Sequence, residues 1–214
     1  MKVLDFSGIK LKFLGHSSFK MEIDQKIIYI DPWESPDHEQ ADIIFITHGH
    51  YDHCSINDLK KLVKSDTLII TTPDTTSKLA SKVHVGDMKL VKPYDKFDIG
   101  DINVKCTPAY NINKEFHPKA NEWVGYLITI NNIKFYFSGD TDLIPEMKEV
   151  DCDVAILPVS GTYVMDYEEA AQAAKLIVPK VAIPCHYGKI IGSIDDAKQF
   201  KEKCSFCRVE IMDE

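Results

Sequence analysis

The chain has 214 residues, 44% of them hydrophobic, and a formal net charge of −8. That is enough apolar material for one substantial core, and the ordinary charged fraction argues against disorder. An acidic chain without a Lys/Arg block disfavours nucleic acid as a partner, because phosphate backbones attract basic surfaces. The opening residues Met1 to Phe6 carry an acid and lead into no signal-type apolar region, and no apolar run approaches the roughly 18 residues of a membrane span. Six cysteines, at 54, 106, 152, 185, 204 and 207, show no disulfide-framework spacing. Reduced thiols, a cytoplasmic location and one domain over residues 1–214 are the expectation.

Short strands are predicted first, over Ile9 to Leu14, Ser18 to Ile23 and Ile27 to Asp31, with turns at Gly15-His16 and Asp24-Gln25. Asp31-Pro32-Trp33 stops the third, since proline cannot donate to a ladder. Ile43 to Ile46 is a continuous apolar run that breaks into Thr47-His48-Gly49-His50, as a buried strand opening into a functional loop would. Ser55, with Asp58 three residues on, predicts an N-capped helix to about Val63, and Thr67 to Thr71 another strand. Strands follow over Lys96 to Ile99, Ile102 to Thr107, Val124 to Ile130 and Ile133 to Ser138, with Asn131-Asn132 as a tight hairpin. The polar interval Pro108 to Trp123 is a long loop, a common place for function. Then come a strand at Val154 to Leu157 and a helix capped by Asp166 and Glu169, with Ala170, Ala173, Ala174 and Ile177 on one face. The chain finishes with a strand at Val181 to Ile183, a helix from Ile194 and a strand at Arg208 to Ile211. No sequence repeat is evident.

The chemistry concentrates in His48-Gly49-His50-Tyr51-Asp52-His53. Three imidazoles and a carboxylate within six residues form a donor set for zinc and related divalent ions, and glycine lets the loop bend so that they converge. A solvated polar loop would not need this density.

The stretch resembles the H-x-H-x-D-H signature of the metallo-β-lactamase fold superfamily. Further landmarks of that family have counterparts in order along the chain: Gly15 to Phe19, Ile30 to Trp33, Ser138-Gly139-Asp140-Thr141-Asp142 and Pro184-Cys185-His186-Tyr187-Gly188. The resemblance implies an α/β fold of four layers, an αββα sandwich, with ligands on loops along one edge of the sheets. It implies two divalent ions, zinc first among them, with manganese, iron or nickel also open. His48 and His50 would hold the first ion, Asp52, His53 and His186 the second, and Asp140 would bridge both. The family usually adds a third histidine to the first ion where this chain has Asn111. An amide oxygen is a weaker ligand than imidazole, so either Asn111 serves, or His117 swings in from the long loop, or the first site is under-coordinated.

Other candidates are less sharp. His16 follows Gly15 at a strand end, where it could meet substrate or a carboxylate, and a capped turn is the plainer reading. Asp31 could orient a ligand histidine. Gly161-Thr162-Tyr163 could bring a phenol to the cleft. His38 and His84 lack companions and read as solvated or structural. Cys204-Ser205-Phe206-Cys207 is a lone C-x-x-C, weak as a metal or redox motif. No nucleophile elbow, phosphate loop or dinucleotide fingerprint occurs.

The expected activity is hydrolysis of an ester-type bond in a small molecule by metal-activated water, with Asp52, His16 and Tyr163 as catalytic candidates. By analogy with the branch of lactonases and N-acylphosphatidylethanolamine-type phospholipase D, a phosphodiester or a lactone is expected. A non-catalytic metal-binding sensor or scaffold is the alternative. The oligomeric state, including a homo-oligomer, stays open.

Overall fold

A computed structural model describes residues 2–83 and 86–212, so His84 lies outside the described residues. The chain divides into two compact units, Met1–Val91 with Met212–Glu214, and Lys92–Ile211.

The first unit carries one seven-stranded sheet whose strands run in sequence order. Strands β1 (Val3–Phe6), β2 (Ile9–Gly15), β3 (Ser18–Ile23) and β4 (Lys26–Ile30) form an antiparallel meander. Strands β5 (Ile43–Phe45), β6 (Leu68–Thr71) and β7 (Asp87–Leu90) then add in parallel. The second unit repeats this plan. Strands β8 (Lys96–Ile99), β9 (Ile102–Pro108), β10 (Val124–Ile130) and β11 (Ile133–Phe137) are antiparallel, and β12 (Val154–Pro158), β13 (Val181–Cys185) and β14 (Arg208–Val209) add in parallel. The two plans match strand for strand although no sequence repeat announces it.

Three of the hairpin turns hold positive φ at both central residues, the geometry that matches strand twist. Ser7-Gly8 (54° and 91°), Asp24-Gln25 (47° and 66°) and the expected Asn131-Asn132 (49° and 63°) are such pairs. The parallel strands β5, β12 and β13 are buried along their whole length, which is why they read as unbroken apolar runs. In the first unit Tyr29, Ile44, Ile46 and Ile69 pack with Leu59 and Leu62 of helix α1 (Ile56–Leu62) and Leu79 of helix α2 (Thr76–Ala80). In the second, helix α3 (Tyr167–Ile177) starts in the expected Asp166/Glu169 capping box and buries Ala170, Ala173, Ala174 and Ile177. Helix α4 (Ile194–Lys203) starts in a second box, Ser193 with Asp196.

The structure adds β1, α2 and β7 to the elements expected from the sequence. The first is only four residues long and is fixed by its turn, while β7 is a polar strand at the sheet's edge without alternation. Helix α3 ends at Ile177, short of Pro179, because Val178 turns into the left-handed region at φ 56°.

Candidate metal centre

In the first unit the functional side chains leave the C-terminal ends of strands. His16 follows β2 and Asp31 follows β4, and both hold positive φ, 54° and 45°. That conformation is costly for a non-glycine residue and is stored where position matters. The run His48 to His53 follows β5. Gly49 has a specific reason to be glycine: a Cβ there would stand 2.4 Å from Asp74 Oδ2. Asp74 sits that close because it accepts the Gly49 N–H at 3.0 Å, and Lys78 donates to the Gly49 carbonyl from the other side. The turn between His48 and His50 is thus held through its backbone.

The ring orientations follow from donor counting. Asp31 is fully buried and accepts from Thr47 N at 2.8 Å and from Thr47 Oγ1 at 2.7 Å. Its Oδ2 also lies 2.7 Å from His53 Nδ1. Burial pushes this carboxyl above its ordinary range, and the His53 ring and the Thr47 donors pull against that. A carboxylate only accepts, so His53 Nδ1 carries the proton, and Nε2 points away from Asp31, 3.4 Å from Asp52 Oδ2. The single Thr47 hydroxyl proton goes to Asp31, so Thr47 Oγ1 accepts from His48 Nδ1 at 3.0 Å. His48 Nε2 lies 2.9 Å from His50 Nδ1. His16 Nε2 stands 3.1 Å from Asp52 Oδ2, and one ligand atom each of His16, Asp52 and His53 lie within 4.8 Å of one another. Imidazoles whose far nitrogen is held by a carboxylate or hydroxyl are the pattern of metal ligands with outer-shell support.

In the second unit Asp140 follows β11 and His186 follows β13, with His186 at φ 58°. Asp140 Oδ2 is 3.1 Å from His186 Nε2 and 3.3 Å from His117 Nε2. Two imidazoles from distant stretches thus address one carboxylate oxygen. His186 Nδ1 meets Ser160 Oγ at 2.9 Å, and His117 Nδ1 meets Asn111 Oδ1 and the Tyr163 carbonyl, each at 3.1 Å. All three Asp140-cluster residues are buried.

The two candidates left open for the first ion separate here. His117 joins Asp140 and His186. The Asn111 side chain is committed to protein partners: Oδ1 accepts the His117 N–H at 2.9 Å, and Nδ2 donates to Asp142 Oδ1 at 3.0 Å and to the Tyr163 carbonyl at 2.9 Å. Tyr163 enters the cluster through that carbonyl, while its ring stands edge-on to Phe116 at 4.6 Å. Asp31, a candidate for orienting a ligand histidine, makes its ring contact with His53. Cys54 is buried and its thiol pushed up to about 11 by desolvation, so it is no nucleophile. His38 lies in the exposed loop before Glu39.

Four contributors escaped the sequence reading. Thr47, Asp74, Ser160 and Asp142 all act by hydrogen bonds to backbone or ring nitrogens, which no residue-type pattern advertises. Thr47 and Asp142 stood inside quoted stretches, but neither was given a role.

Residues 10–186 match the family described as the beta-lactamase superfamily domain. A UPF0173 metal-dependent hydrolase of Alkaliphilus metalliredigens is 33% identical, the match covering 95% of this chain and 96% of that one. One from Thermococcus onnurineus is 28% identical over 91% of each. Among solved structures, a protein of Parabacteroides distasonis, provisionally assigned as a metal-dependent hydrolase, matches with a TM-score of 0.86 at 32% identity, covering 99% of this chain and 98% of that one. A metallo hydrolase of Ignicoccus hospitalis gives 0.78 at 26% identity over 96% and 95%.

Proposed function

The chain belongs to the beta-lactamase superfamily, with the α/β fold of the metallo-β-lactamase type, and from that premise we propose a metal-dependent hydrolase acting on an ester-type bond of a small molecule. Phosphodiesters and lactones are the first substrate classes. Zinc is the first ion, with manganese, iron and nickel as alternatives. Following the family pattern, His48, His50 and His117 serve one ion, Asp52, His53 and His186 a second, and Asp140 both.

The observation that carries this reading is the orientation of the rings. His48 and His53 each have Nδ1 held by Thr47 or Asp31, and His117 and His186 each have Nδ1 held by an oxygen partner. Each then presents Nε2, and imidazole lone pairs beside carboxylates suit a divalent ion far better than they suit one another. A bound ion supplies Lewis acidity and brings the pKa of its water down towards ~7. The chain's own groups do the rest. Asp52, held by His16, is placed to take the proton of an attacking water, and His16 keeps that carboxylate in one rotamer. Tyr163, half-buried beside Phe116, offers its phenol or ring to the substrate. The net charge of −8 fits a small-molecule substrate rather than nucleic acid. Among the described residues no helix is long and apolar enough to cross a membrane, and all six cysteines are free thiols, in keeping with a cytoplasmic enzyme.

The test is turnover. Metal-replete protein should cleave a generic phosphodiester or a lactone, and Asp52→Ala should lower kcat/KM by about 100-fold or more, the scale of a lost acid–base group. Equal turnover by the variant would overturn the mechanism. A sensor without turnover drew its support from a missing ligand at Asn111, and the placement of His117 beside Asp140 weakens that support.

A further inference from the structure

The asparagine where the family resemblance leads one to expect a histidine has an assignable task. We propose that Asn111 is a positioning residue that holds the His117 ring through its Nδ1–H and aims Nε2 at Asp140. Only the consequence for metal affinity rests on reading His117 as a ligand.

The amide's orientation is set by its neighbours' chemistry. The atom 2.9 Å from the His117 backbone N–H must be an acceptor, so it is Oδ1. The other amide atom faces two acceptors, Asp142 Oδ1 and the Tyr163 carbonyl, so it is Nδ2. A flipped amide would set donor against donor on one side and acceptor against acceptors on the other. Asp142 is itself pinned by the Ile112 N–H at 2.8 Å and by Lys114. With Oδ1 so placed, His117 Nδ1 faces two oxygens that only accept, Asn111 Oδ1 and the Tyr163 carbonyl, each at 3.1 Å. The ring nitrogen must therefore donate, which turns Nε2 towards Asp140 at 3.3 Å. The segment from Asn111 to His117 is also tied by the Asn111 N–H to the His117 carbonyl at 2.7 Å, so one residue grips both the backbone and the ring of the other. An arrangement of this kind delivers an imidazole from a loop with the fixity of a strand end.

The experiment reads the Nδ1 proton directly. Ring 15N shifts of histidine-labelled protein, with His117 assigned through His117→Gln, should show Nδ1 protonated. Asn111→Ala should give a mixture of ring states. An unprotonated Nδ1 in the parent, or an unchanged spectrum in Asn111→Ala, would overturn the proposal. Calorimetric zinc titration supplies the second readout. Asn111→Ala should weaken one binding step roughly tenfold to a hundredfold, the usual cost of losing a ligand's orienting partner. If His117→Gln leaves zinc affinity untouched while the Nδ1 result holds, the ligand reading fails and the positioning role stands.

Discussion

The two units gather their donors in opposite ways. In the first, His48, His50, Asp52 and His53 come from one six-residue stretch, and a single turn braced by Asp74 and Lys78 brings them together. In the second, His117, Asp140 and His186 come from three separated stretches, and the sheet does the gathering through the ends of β11 and β13 and the loop after β9. The same strand plan thus supports a compact donor set that depends on loop geometry and a dispersed one that depends on the whole unit's fold. The first should be fragile towards backbone changes, the second towards loss of its hub.

The largest effect should come from that hub. Asp140→Ala removes the one oxygen that both His117 and His186 address, and kcat/KM should fall by at least about 100-fold, as for loss of a group acting in the transition state. Steady-state assays beside the single-histidine variants would show whether Asp140 dominates. A smaller loss than His117→Ala alone would mean that the cluster has no hub.

Next is the turn of the compact set. Gly49→Ala drives a methyl into the Asp74 carboxylate and should cost about 1–3 kcal/mol, the range for forced overpacking. Chemical denaturation of Gly49→Ala, Asp74→Ala and the double variant would test the cause. The double variant should recover part of the loss, because the two positions are in contact.

A change remote from both clusters should move stability and leave activity alone. Burial pushes the Asp37 carboxyl up, but the Glu39 N–H, Lys12 and Lys20 outweigh it and hold it well below the usual carboxylate range. A depressed pKa stabilises the fold above the unfolded value of about 3.9, and that contribution is lost as pH falls through the lower folded value. Asp37→Asn should lower the melting midpoint at pH 6 by an amount equivalent to about 1 kcal/mol, and the gap should close in acid. A gap that does not narrow between pH 6 and pH 2 would assign the effect to packing.

The smallest effect concerns Cys204 and Cys207. Burial pushes the Cys204 thiol up to about 12 and also raises Cys207, so thiolate is scarce at neutral pH. Alkylation at pH 7 should be slow, and Cys207→Ser should leave turnover unchanged. Fast labelling coupled to lost activity would revive a redox role.

How much of this was legible follows from the same contrast. The His48–His53 set could be read because all its donors fall inside one window, with a strand before and a capped helix after. Asp140 and His186 were found only through resemblance, since nothing local distinguishes them from other loop residues. His117 was left tied with Asn111 because the choice depends on where Tyr163 and Asp142 lie, tens of residues away in sequence. Thr47 and Ser160 were invisible for a related reason: a hydroxyl that orients a ring has the same sequence appearance as one that faces water. Likewise the antiparallel-then-parallel plan shared by the two units shows in strand order and in turns such as Asn131-Asn132, and in no repeat of sequence.

The most direct measurement is the metal content of protein purified without added metal, by elemental analysis of the parent and of Asp140→Ala. The account predicts two divalent ions per parent chain and at most one in the variant. A parent chain without bound metal, or a variant that keeps both ions, would contradict it.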